Sequence, residues 1–501
     1  MVEVQLFIIQ KNTQYKQYYF MKKLEPIALW TYFHEITQIP RPSKKEEKII
    51  AYLKAFSETH QLEYKIDGAG NVLICKPATP GYENAKRIIM QGHTDMVCEK
   101  NNDTVFNFDT DPIQTYIEDD WVKARGTTLG GDNGIGVAMM LAVLSATNLK
   151  HPALECLFTS DEETGLTGAF ALDNKLLHGE VLINLDSEDD GVIFIGCAGG
   201  VDSTATLAYS EVNSPEGYFA FTVSVNGLKG GHSGDDIHRG RGNANKILNR
   251  YLWNINRKTD LHLHAFNGGN LRNAIAREAT ATVSVPWSEK ENVRVELNHY
   301  IADLENEFGE AEPAMKLTLE SEKLPEKAIT KVTSDKLLHA LYACPHGVVA
   351  MSKDMPELVE TSTNLASVKM KPDNQILITT SQRSSVESAK YDIANQVETV
   401  FLLAGAKVTH GDGYPGWKPN IKSDILKIAE ASYTKLFHEK AQVKAIHAGL
   451  ECGLFLEKYP HLDMISIGPQ MAGVHSPDER LSISSTQKCW KWLVDILQTS
   501  M

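Results

Sequence analysis

The sequence predicts an α/β protein in which a mixed sheet lies between helices, with a second α+β domain inserted into the chain. Three observations predict this fold. In the first 200 residues, apolar strands that end in polar residues alternate with helices. From about Gly200 the strands lengthen and alternate in polarity, as in YFAFTVSVNGL and ATATVSVPW, which indicates an antiparallel sheet with one covered face. The last hundred residues return to the first pattern, so the second domain is an insertion.

The chain has 501 residues, which is too many for one hydrophobic core. Residues 1–20 lack the features of a signal peptide and are set apart as an N-terminal extension. We expect the main domain to comprise residues 21–200 and 397–501, and the inserted domain residues 201–396. No internal repeat is evident in the sequence.

Composition excludes several classes of function. A net charge of −14 disfavours binding to nucleic acid or to an anionic membrane. The longest apolar run, residues 134–146, is shorter than the ~20 residues of a membrane-spanning helix. Seven scattered cysteines without a CxxC spacing favour reduced thiols. We therefore expect a cytoplasmic protein with no nucleic-acid or membrane partner.

The first strand with chemistry at its end is RIIMQGHTDMV, residues 87–97. It follows a predicted amphipathic helix, EEKIIAYLKAF, and two short strands around a Gly-Asn turn. Residues two apart in an extended segment face the same side, so His93 could bind a metal while Asp95 orients its imidazole. A loop histidine beside a loop aspartate is the alternative.

A glycine-rich turn, GGDNGIG, precedes a long apolar helix. The glycines let the backbone turn sharply, and a carboxylate at such a buried turn needs a cation. We interpret Asp132 as a carboxylate that two metal ions share. The alternative is that Asp132 only caps the helix.

Two further strands end in carboxylates. ALECLFTSDEETGLTGA carries Asp161, Glu162 and Glu163, and consecutive residues at a strand end point to opposite sides. Glu163 can therefore bind a metal while Glu162 faces the attacking water as a general base; a solvated acidic loop is the alternative. EVLINLDSEDDGVIFIG, predicted as one strand over 180–196, supplies Asp186.

The inserted domain carries polar residues that we place against a substrate. They are His232 in a glycine-rich loop, Asn273 in GGNLRNAIARE and Arg383 at a strand end. A turn histidine, a turn asparagine and a surface arginine are the alternatives. The last part of the chain contains HAGLECG, then a strand, a glycine-rich loop with His475, and a final helix, TQKCWKWLVDIL.

Five motifs in order, HTDMV, GGDNG, DEETG, NLDSE and GVHSPDE, resemble the co-catalytic zinc site of the M20 metallopeptidase family. The resemblance extends from about residue 21 to the end of the chain. The longer matches GTTLGGDNGIGVA, GCAGG, GGHSG and HAGLECG point to dipeptidases within that family. The resemblance implies that the main domain is a catalytic domain and that the inserted domain is a lid domain.

The resemblance also implies a ligand set for two Zn²⁺ ions per chain, with Co²⁺ or Mn²⁺ as substitutes. Asp132 would bridge the ions, His93 and Asp186 would complete one site, and Glu163 and His475 the other. In the family the bridging aspartate precedes a cis peptide, which implies a cis bond after Asp132. An aspartate at the position of Asp186 is typical of peptidases that act near a free amino terminus.

The implied substrate is a small unblocked dipeptide, including Xaa-His dipeptides. His232 would stabilise the oxyanion, either within its own chain or across a homodimer formed through the lid domain. Arg383 would bind the substrate carboxylate, because its guanidinium fork matches that planar group, and Asn273 with the backbone of Gly449 would complete the pocket. An N-acyl amino acid amidohydrolase or a tripeptide aminopeptidase is the alternative within the superfamily. A metal-stabilised binding protein without catalysis is a third alternative. Such a protein would lack a metal ligand or the general base, and the sequence contains all five ligands and Glu162.

Overall fold

The computed structural model describes residues 23–499. The predicted extension over residues 1–20 lies outside the described residues. The chain divides into two compact units. The first contains the described residues up to Gly196, Pro419–Ala445 and the described residues from Leu454 onwards; the second contains Cys197–Lys418 and Ile446–Gly453. The domain limits predicted from the sequence stay predictions.

The elements are numbered in chain order within the described residues. The helices are α1 (Ile27–Thr37), α2 (Glu47–Thr59), α3 (Gly131–Ser145), α4 (Thr167–Ala171), α5 (Ala244–Asn256), α6 (Lys290–Phe308), α7 (Lys331–Ala343), α8 (Glu387–Leu403), α9 (Asp424–Phe437), α10 (Glu451–Lys458) and α11 (Ile483–Thr499). The strands are β1 (Glu63–Ile66), β2 (Val72–Lys76), β3 (Ile88–His93), β4 (Thr115–Glu118), β5 (Trp121–Ala124), β6 (Leu154–Thr159), β7 (Val181–Asn184), β8 (Val192–Cys197), β9 (Gly199–Ala208), β10 (Glu211–Asn213), β11 (Tyr218–Asn226), β12 (His262–Gly268), β13 (Ala279–Pro286), β14 (Lys316–Glu322), β15 (Lys327–Ile329), β16 (Gly347–Met351), β17 (Val359–Lys371), β18 (Gln375–Ser384), β19 (Lys407–His410), β20 (Gln442–Ile446), β21 (Asp463–Ser466), β22 (Met471–Ala472) and β23 (Arg480–Ser482).

The first unit is built on a mixed sheet of eight strands in the order β1-β2-β6-β3-β7-β21-β8-β20. Strand β3 runs parallel to β6 and β7, and β21 runs parallel to β7, whereas β1 and β2 are antiparallel additions. Every residue of β3, β6 and β7 is buried, as expected for strands covered on both faces. The predicted α/β fold with a mixed sheet is confirmed.

One predicted strand is wrong. Residues 180–196, predicted as one strand, form β7 and β8, which are separated in the sheet by β21. The physical reason is the polar segment DSEDDG between them, which cannot continue a buried strand. Gly191 adopts a φ of +69° there, which lets the chain turn back into the sheet.

Helix α3 is buried along its whole length after the glycine-rich turn. It packs against α1 and β3, and residues 133–144 are all buried, which explains why it is apolar on every side. Its first turn is irregular, because Gly130 has a φ of +68° and Asp132 and Asn133 have non-helical backbone angles. The peptide bond between Asp132 and Asn133 is cis, as predicted.

The second unit contains an antiparallel sheet in the order β14-β11-β13-β12-β17-β18-β9-β19, with β16 added alongside β17. Its connectivity repeats. The first half consists of β11, α5, β12, β13, α6 and β14; when its four strands are numbered in chain order, their order in the sheet is fourth, first, third, second. The second half consists of β9, α7, β17, β18, α8 and β19, and its four strands have the same order when the sheet is read from β19. The two halves meet where β12 pairs with β17. The unit is therefore a topological repeat in which the first half is inserted between β9 and α7 of the second.

Helices of both halves share a core with this sheet; examples are Leu248 in α5, Leu304 in α6, Leu341 in α7 and Phe401 in α8. Helix α8 packs against β9, β18 and β19, and the predicted boundary at 396/397 falls inside it. All seven cysteines lie in the described part of the chain, and none of them forms a disulfide bond there. Among the described helices, none has the length and apolarity to cross a bilayer.

Candidate functional site

Three parallel strands of the first unit end at one edge of its sheet. His93 is the last residue of β3 and pairs with Thr159 at the end of β6, while Gln91 pairs with Asn184 at the end of β7. The segments that follow β6 and β7 carry the acidic residues, so their side chains meet at the carboxyl edge of the sheet.

Asp132 lies between two histidines at this edge. Its Oδ1 is 3.0 Å from Nε2 of His93, and its Oδ2 is 3.1 Å from Nε2 of His475. Oδ1 of Asp186 is 3.4 Å from the same nitrogen of His93, and Oε2 of Glu163 is 3.1 Å from the same nitrogen of His475. The structure thus brings all five predicted ligands together in two groups that share Asp132.

This donor set fits a divalent metal ion. Within each group the candidate ligand atoms lie within 4.8 Å of one another. Oε1 of Glu163 is buried and has no hydrogen-bond partner among the described residues, which is costly unless a cation or donor occupies the space beside it. Imidazole nitrogens and carboxylate oxygens are the ligands that zinc accepts in catalytic sites.

The charges of the cluster lead to the same conclusion. Hydrogen bonds to Asp132 and Glu163 raise the pKa of His475 to about 11. Burial acts to lower the pKa of His93, but the charge of Asp186 and the hydrogen bond to Asp132 raise it well above its usual value. Burial also raises the pKa of Asp186 well above its usual range. Without a metal, protons must therefore balance the buried carboxylates, and a cation that binds there would displace them.

Asp95 fixes both the imidazole and the acidic turn. Its Oδ1 lies 3.3 Å from Nδ1 of His93 and accepts a hydrogen bond of 3.0 Å from the backbone amide of Glu162. Its Oδ2 accepts hydrogen bonds from the backbone amide of Glu163 and from the hydroxyl of Ser43. Burial acts to raise the pKa of Asp95, but the hydrogen bond with His93 and these donors lower it to about 2. Asp95 is therefore a carboxylate placed beside the histidine, and its role in orienting a metal-binding imidazole stays a prediction.

The three consecutive acids point to different partners. Glu162 offers a carboxylate oxygen to a group with His93 and Glu163 within 4.8 Å. Asp161 is not part of that group; its carboxylate accepts hydrogen bonds from the hydroxyls of Thr164 and Thr167. Asp161 therefore stabilises the turn after β6, and Glu162 and Glu163 are left to face the cluster.

Sequence reasoning missed the role of Glu479. Its buried carboxylate accepts hydrogen bonds from four consecutive backbone amides, at 2.7 Å from Leu129, 3.0 Å from Gly130, 2.7 Å from Gly131 and 3.3 Å from Asp132. Burial raises the pKa of Glu479, and the bonds to the amides oppose that rise. The glutamate belongs to the GVHSPDE motif, but nothing in the sequence pairs it with the glycine-rich turn.

Arg41 was also missed. It is fully buried and donates hydrogen bonds to the carbonyls of Thr94, at 2.9 Å, and Asp95, at 2.6 Å, and to that of Gly130. It thereby joins the loop after β3 to the turn before Asp132. A Cβ at Gly130 would lie 2.5 Å from its guanidinium, so the glycine is needed for this approach.

The second unit brings two of its predicted residues into direct contact. Arg383 is only 7% exposed and donates from Nη1 to the hydroxyl of Tyr414 at 2.8 Å and from Nε to the hydroxyl of Ser233 at 3.3 Å. Its Nη2 lies 3.4 Å from Nε2 of His232. Arg383 is therefore a buried cation that donates to two hydroxyl groups, rather than the surface arginine of the alternative interpretation.

The other two predicted residues of this unit contact neighbours of Arg383 rather than Arg383 itself. Asn273 is exposed, and its backbone carbonyl accepts a hydrogen bond from the amide of Ser233. Gly449 lies against the ring of Tyr414, where a Cβ would be 2.8 Å from the ring. His447, which sequence reasoning missed, is buried with its Nε2 at 2.8 Å from the hydroxyl of Ser362.

The fold and the cluster at the carboxyl edge define a class of protein. Residues 89–499 match the family model of Peptidase family M20/M25/M40, and the chain belongs to this family of peptidases.

Among curated proteins, the cytosol non-specific dipeptidase of Escherichia coli (strain K12) is 44% identical over 95% of this chain and 98% of its own. Among solved structures, the aminoacylhistidine dipeptidase from Vibrio alginolyticus is 41% identical, with a TM-score of 0.92 over 96% of this chain and 98% of that chain. A tripeptidase from Staphylococcus aureus covers 95% and 98% of the two chains with a TM-score of 0.55 and 16% identity, so it shares the fold alone.

Proposed function

We propose that the protein is a zinc-dependent dipeptidase that hydrolyses unblocked dipeptides, including Xaa-His dipeptides. The observation that carries the proposal is the position of Asp132, whose two oxygens each face the Nε2 of a different histidine. The similarity to two proteins named as dipeptidases, each over almost the full chain, supports the substrate class.

The proposed centre holds two zinc ions, for which Co²⁺ or Mn²⁺ could substitute. His93, Asp132 and Asp186 would hold one ion, and Asp132, Glu163 and His475 the other. Ions bound there would make a water molecule more acidic and polarise the carbonyl of the scissile peptide bond.

The chain's own residues supply the proton transfers and the positioning. Glu162 accepts a proton from the attacking water and returns it to the amine that leaves. Asp95 holds the backbone of Glu162 in place through the amide hydrogen bond of 3.0 Å, so the base needs little reorientation.

Residues of the second unit bind the substrate in this proposal. Arg383 pairs with the carboxylate of the dipeptide, and His232 stabilises the negative charge that develops on the carbonyl oxygen. Asn273 and the backbone of Gly449 complete the pocket. A cytoplasmic location and a homodimer formed through the inserted domain stay predictions.

A substrate panel tests the proposal. Zinc-loaded protein is incubated with unblocked dipeptides, tripeptides and N-acetylated amino acids, and released amino acids are quantified, with chelator-treated protein as the control. We expect hydrolysis of the dipeptides, including Xaa-His, and loss of activity after chelation. Preferential cleavage of tripeptides or N-acetyl amino acids would replace the proposed substrate by one of the two alternatives.

A further inference from the structure

Tyr414 is the partner of Arg383 that neither the sequence motifs nor the proposed mechanism uses. Arg383 in β18 pairs directly across the sheet with Gly200 in β9, and the backbone of Tyr414 forms two hydrogen bonds with that glycine, at 2.9 and 3.0 Å. The missing side chain of Gly200 makes room for the phenol ring, because a Cβ there would lie 2.7 Å from it. The ring therefore stands beside the guanidinium.

The ring is enclosed from a second side. Gly449 approaches it so closely that a Cβ would lie 2.8 Å from the ring. The ammonium of Lys390, whose side chain is 1% exposed, donates to the carbonyl of Tyr414 at 2.8 Å. Two glycines from separate motifs, GCAGG and HAGLECG, thus shape a slot for one tyrosine, and this slot fixes where its hydroxyl points.

The hydroxyl of Tyr414 can donate one further hydrogen bond. Its oxygen accepts the hydrogen bond from Nη1 of Arg383, and the phenolic proton is donated to no partner among the residues described. Burial raises the pKa of Tyr414, so the phenol stays neutral and keeps this proton at physiological pH. A hydroxyl beside a guanidinium, with its proton unused, can donate to an anion that the guanidinium attracts.

We infer that Tyr414 is a substrate-binding residue that orients Arg383 and donates a hydrogen bond from its phenolic O–H to the C-terminal carboxylate of the dipeptide. This inference rests on the proposed dipeptidase function. It assigns the carboxylate two donors of different kinds, a guanidinium N–H and a neutral O–H. It also gives the glycines at 200 and 449 a shared purpose, which is to admit the ring.

The test compares two substrates in one variant. Tyr414→Phe keeps the ring in its slot and removes only the hydroxyl. For an unblocked dipeptide we expect KM to rise about tenfold while kcat changes less than about twofold, since a hydrogen bond to a charged group contributes about 1.5 kcal/mol or more. For the same dipeptide with a C-terminal carboxamide, which wild-type enzyme should bind weakly, the substitution should leave KM almost unchanged.

Two further variants make the result specific. Tyr251→Phe also removes a buried phenolic hydrogen bond in the second unit, to the carbonyl of Val293, and should leave both KM values unchanged. Arg383→Lys combined with Tyr414→Phe should raise KM by less than the product of the single effects, because both residues act on one carboxylate.

The outcomes separate the inference from the function on which it rests. Equal losses on the carboxylate and carboxamide substrates, or an unchanged KM for both, would overturn the role of Tyr414. Absence of dipeptide hydrolysis by the zinc-loaded wild-type protein would instead overturn the proposed function. Thermal unfolding of Tyr414→Phe and Tyr251→Phe, measured in parallel, identifies any loss that comes from the fold.

Discussion

The carboxylate of Asp95 accepts a hydrogen bond of 3.0 Å from the backbone amide of Glu162. The same oxygen lies 3.3 Å from Nδ1 of His93, so one side chain connects the proposed general base to a proposed metal ligand. The protein thereby ties the orientation of the imidazole to the conformation of the acidic turn, although the two segments are more than 60 residues apart.

Asp95→Asn should weaken metal binding without removing a ligand. The amide group cannot accept hydrogen bonds at both positions, so its NH₂ must face His93 or one of the backbone amides that Asp95 now holds. Loss of such a supporting contact typically costs about 10–100-fold in metal affinity. Competition with a chromophoric chelator measures the affinity, and an unchanged zinc affinity would contradict this role.

Glu162→Gln and Glu163→Gln should have different effects. Glu162→Gln should keep its metals and still bind dipeptide, but lose about 10²–10⁴-fold in kcat, because positioned proton transfer is removed. Glu163→Gln should lose metal, since its carboxylate lies 3.1 Å from Nε2 of His475 in the proposed centre, and added zinc should partly restore activity. Metal content by atomic spectroscopy is measured beside kcat.

Asp161→Asn is the matched control for these two variants. Its carboxylate accepts hydrogen bonds from the hydroxyls of Thr164 and Thr167 and belongs to neither group of proposed metal ligands, so we expect much smaller changes in metal content and kcat. If Glu162→Gln lost metal while Glu163→Gln kept it, the roles of the two glutamates would be reversed.

Residues that follow buried strands could be predicted from the sequence, because the carboxyl ends of parallel strands meet at one edge. This reasoning placed His93, Glu163 and Asp186 together, and the structure brings them there. It could not find Glu479 or Tyr414, because each acts on a segment that the sequence pattern does not pair with it. Glu479 binds amides about 350 residues away, and no local periodicity encodes that contact.

The fold also has features that could be predicted from the sequence and features that could not. Polarity alternation predicted an antiparallel inserted domain, and the second unit has an antiparallel sheet. The repeated connectivity of this sheet could not be predicted from the sequence, because two segments can share the same order of strands and helices without sharing amino-acid sequence. The strand predicted over 180–196 failed for a related reason: a short polar turn, ending at Gly191, separates two strands that are equally apolar.

Glu479→Gln should destabilise the turn that presents Asp132. One end of the glutamine side chain is an NH₂ group, which would face backbone amides that now donate to the carboxylate, and these buried donors would lose their acceptor. Each unsatisfied group costs about 1–3 kcal/mol, so we expect a loss of about 2 kcal/mol in the free energy of unfolding. Urea unfolding of chelator-treated protein measures it.

The control for this loss is Glu118→Gln, which changes an exposed carboxylate of the first unit and should leave the free energy of unfolding almost unchanged. Zinc affinity is measured in both variants. An unfolding free energy for Glu479→Gln equal to that of the wild type would show that the four amides do not depend on the carboxylate.

His447 should make the stability of the protein depend on pH. Burial and the charge of Arg383 lower its pKa from the ordinary histidine value of about 6.5 to about 3. The unfolded chain takes up a proton near pH 6.5 that the folded chain does not bind until about pH 3. As the pH falls through this window, proton uptake favours the unfolded state by at most about 1.4 kcal/mol per pH unit, and above pH 6.5 the residue contributes no slope.

His447→Gln should remove this contribution, because glutamine does not titrate and can still bond to the hydroxyl of Ser362, which now lies 2.8 Å from Nε2. The free energy of unfolding of chelator-treated wild type and variant is measured between pH 7.5 and 4.5. We expect the wild type to lose stability faster than the variant below pH 6.5, by about 1–2 kcal/mol at pH 5. Parallel curves across the whole range would mean that the folded protein accepts a proton on His447 as readily as the unfolded chain does.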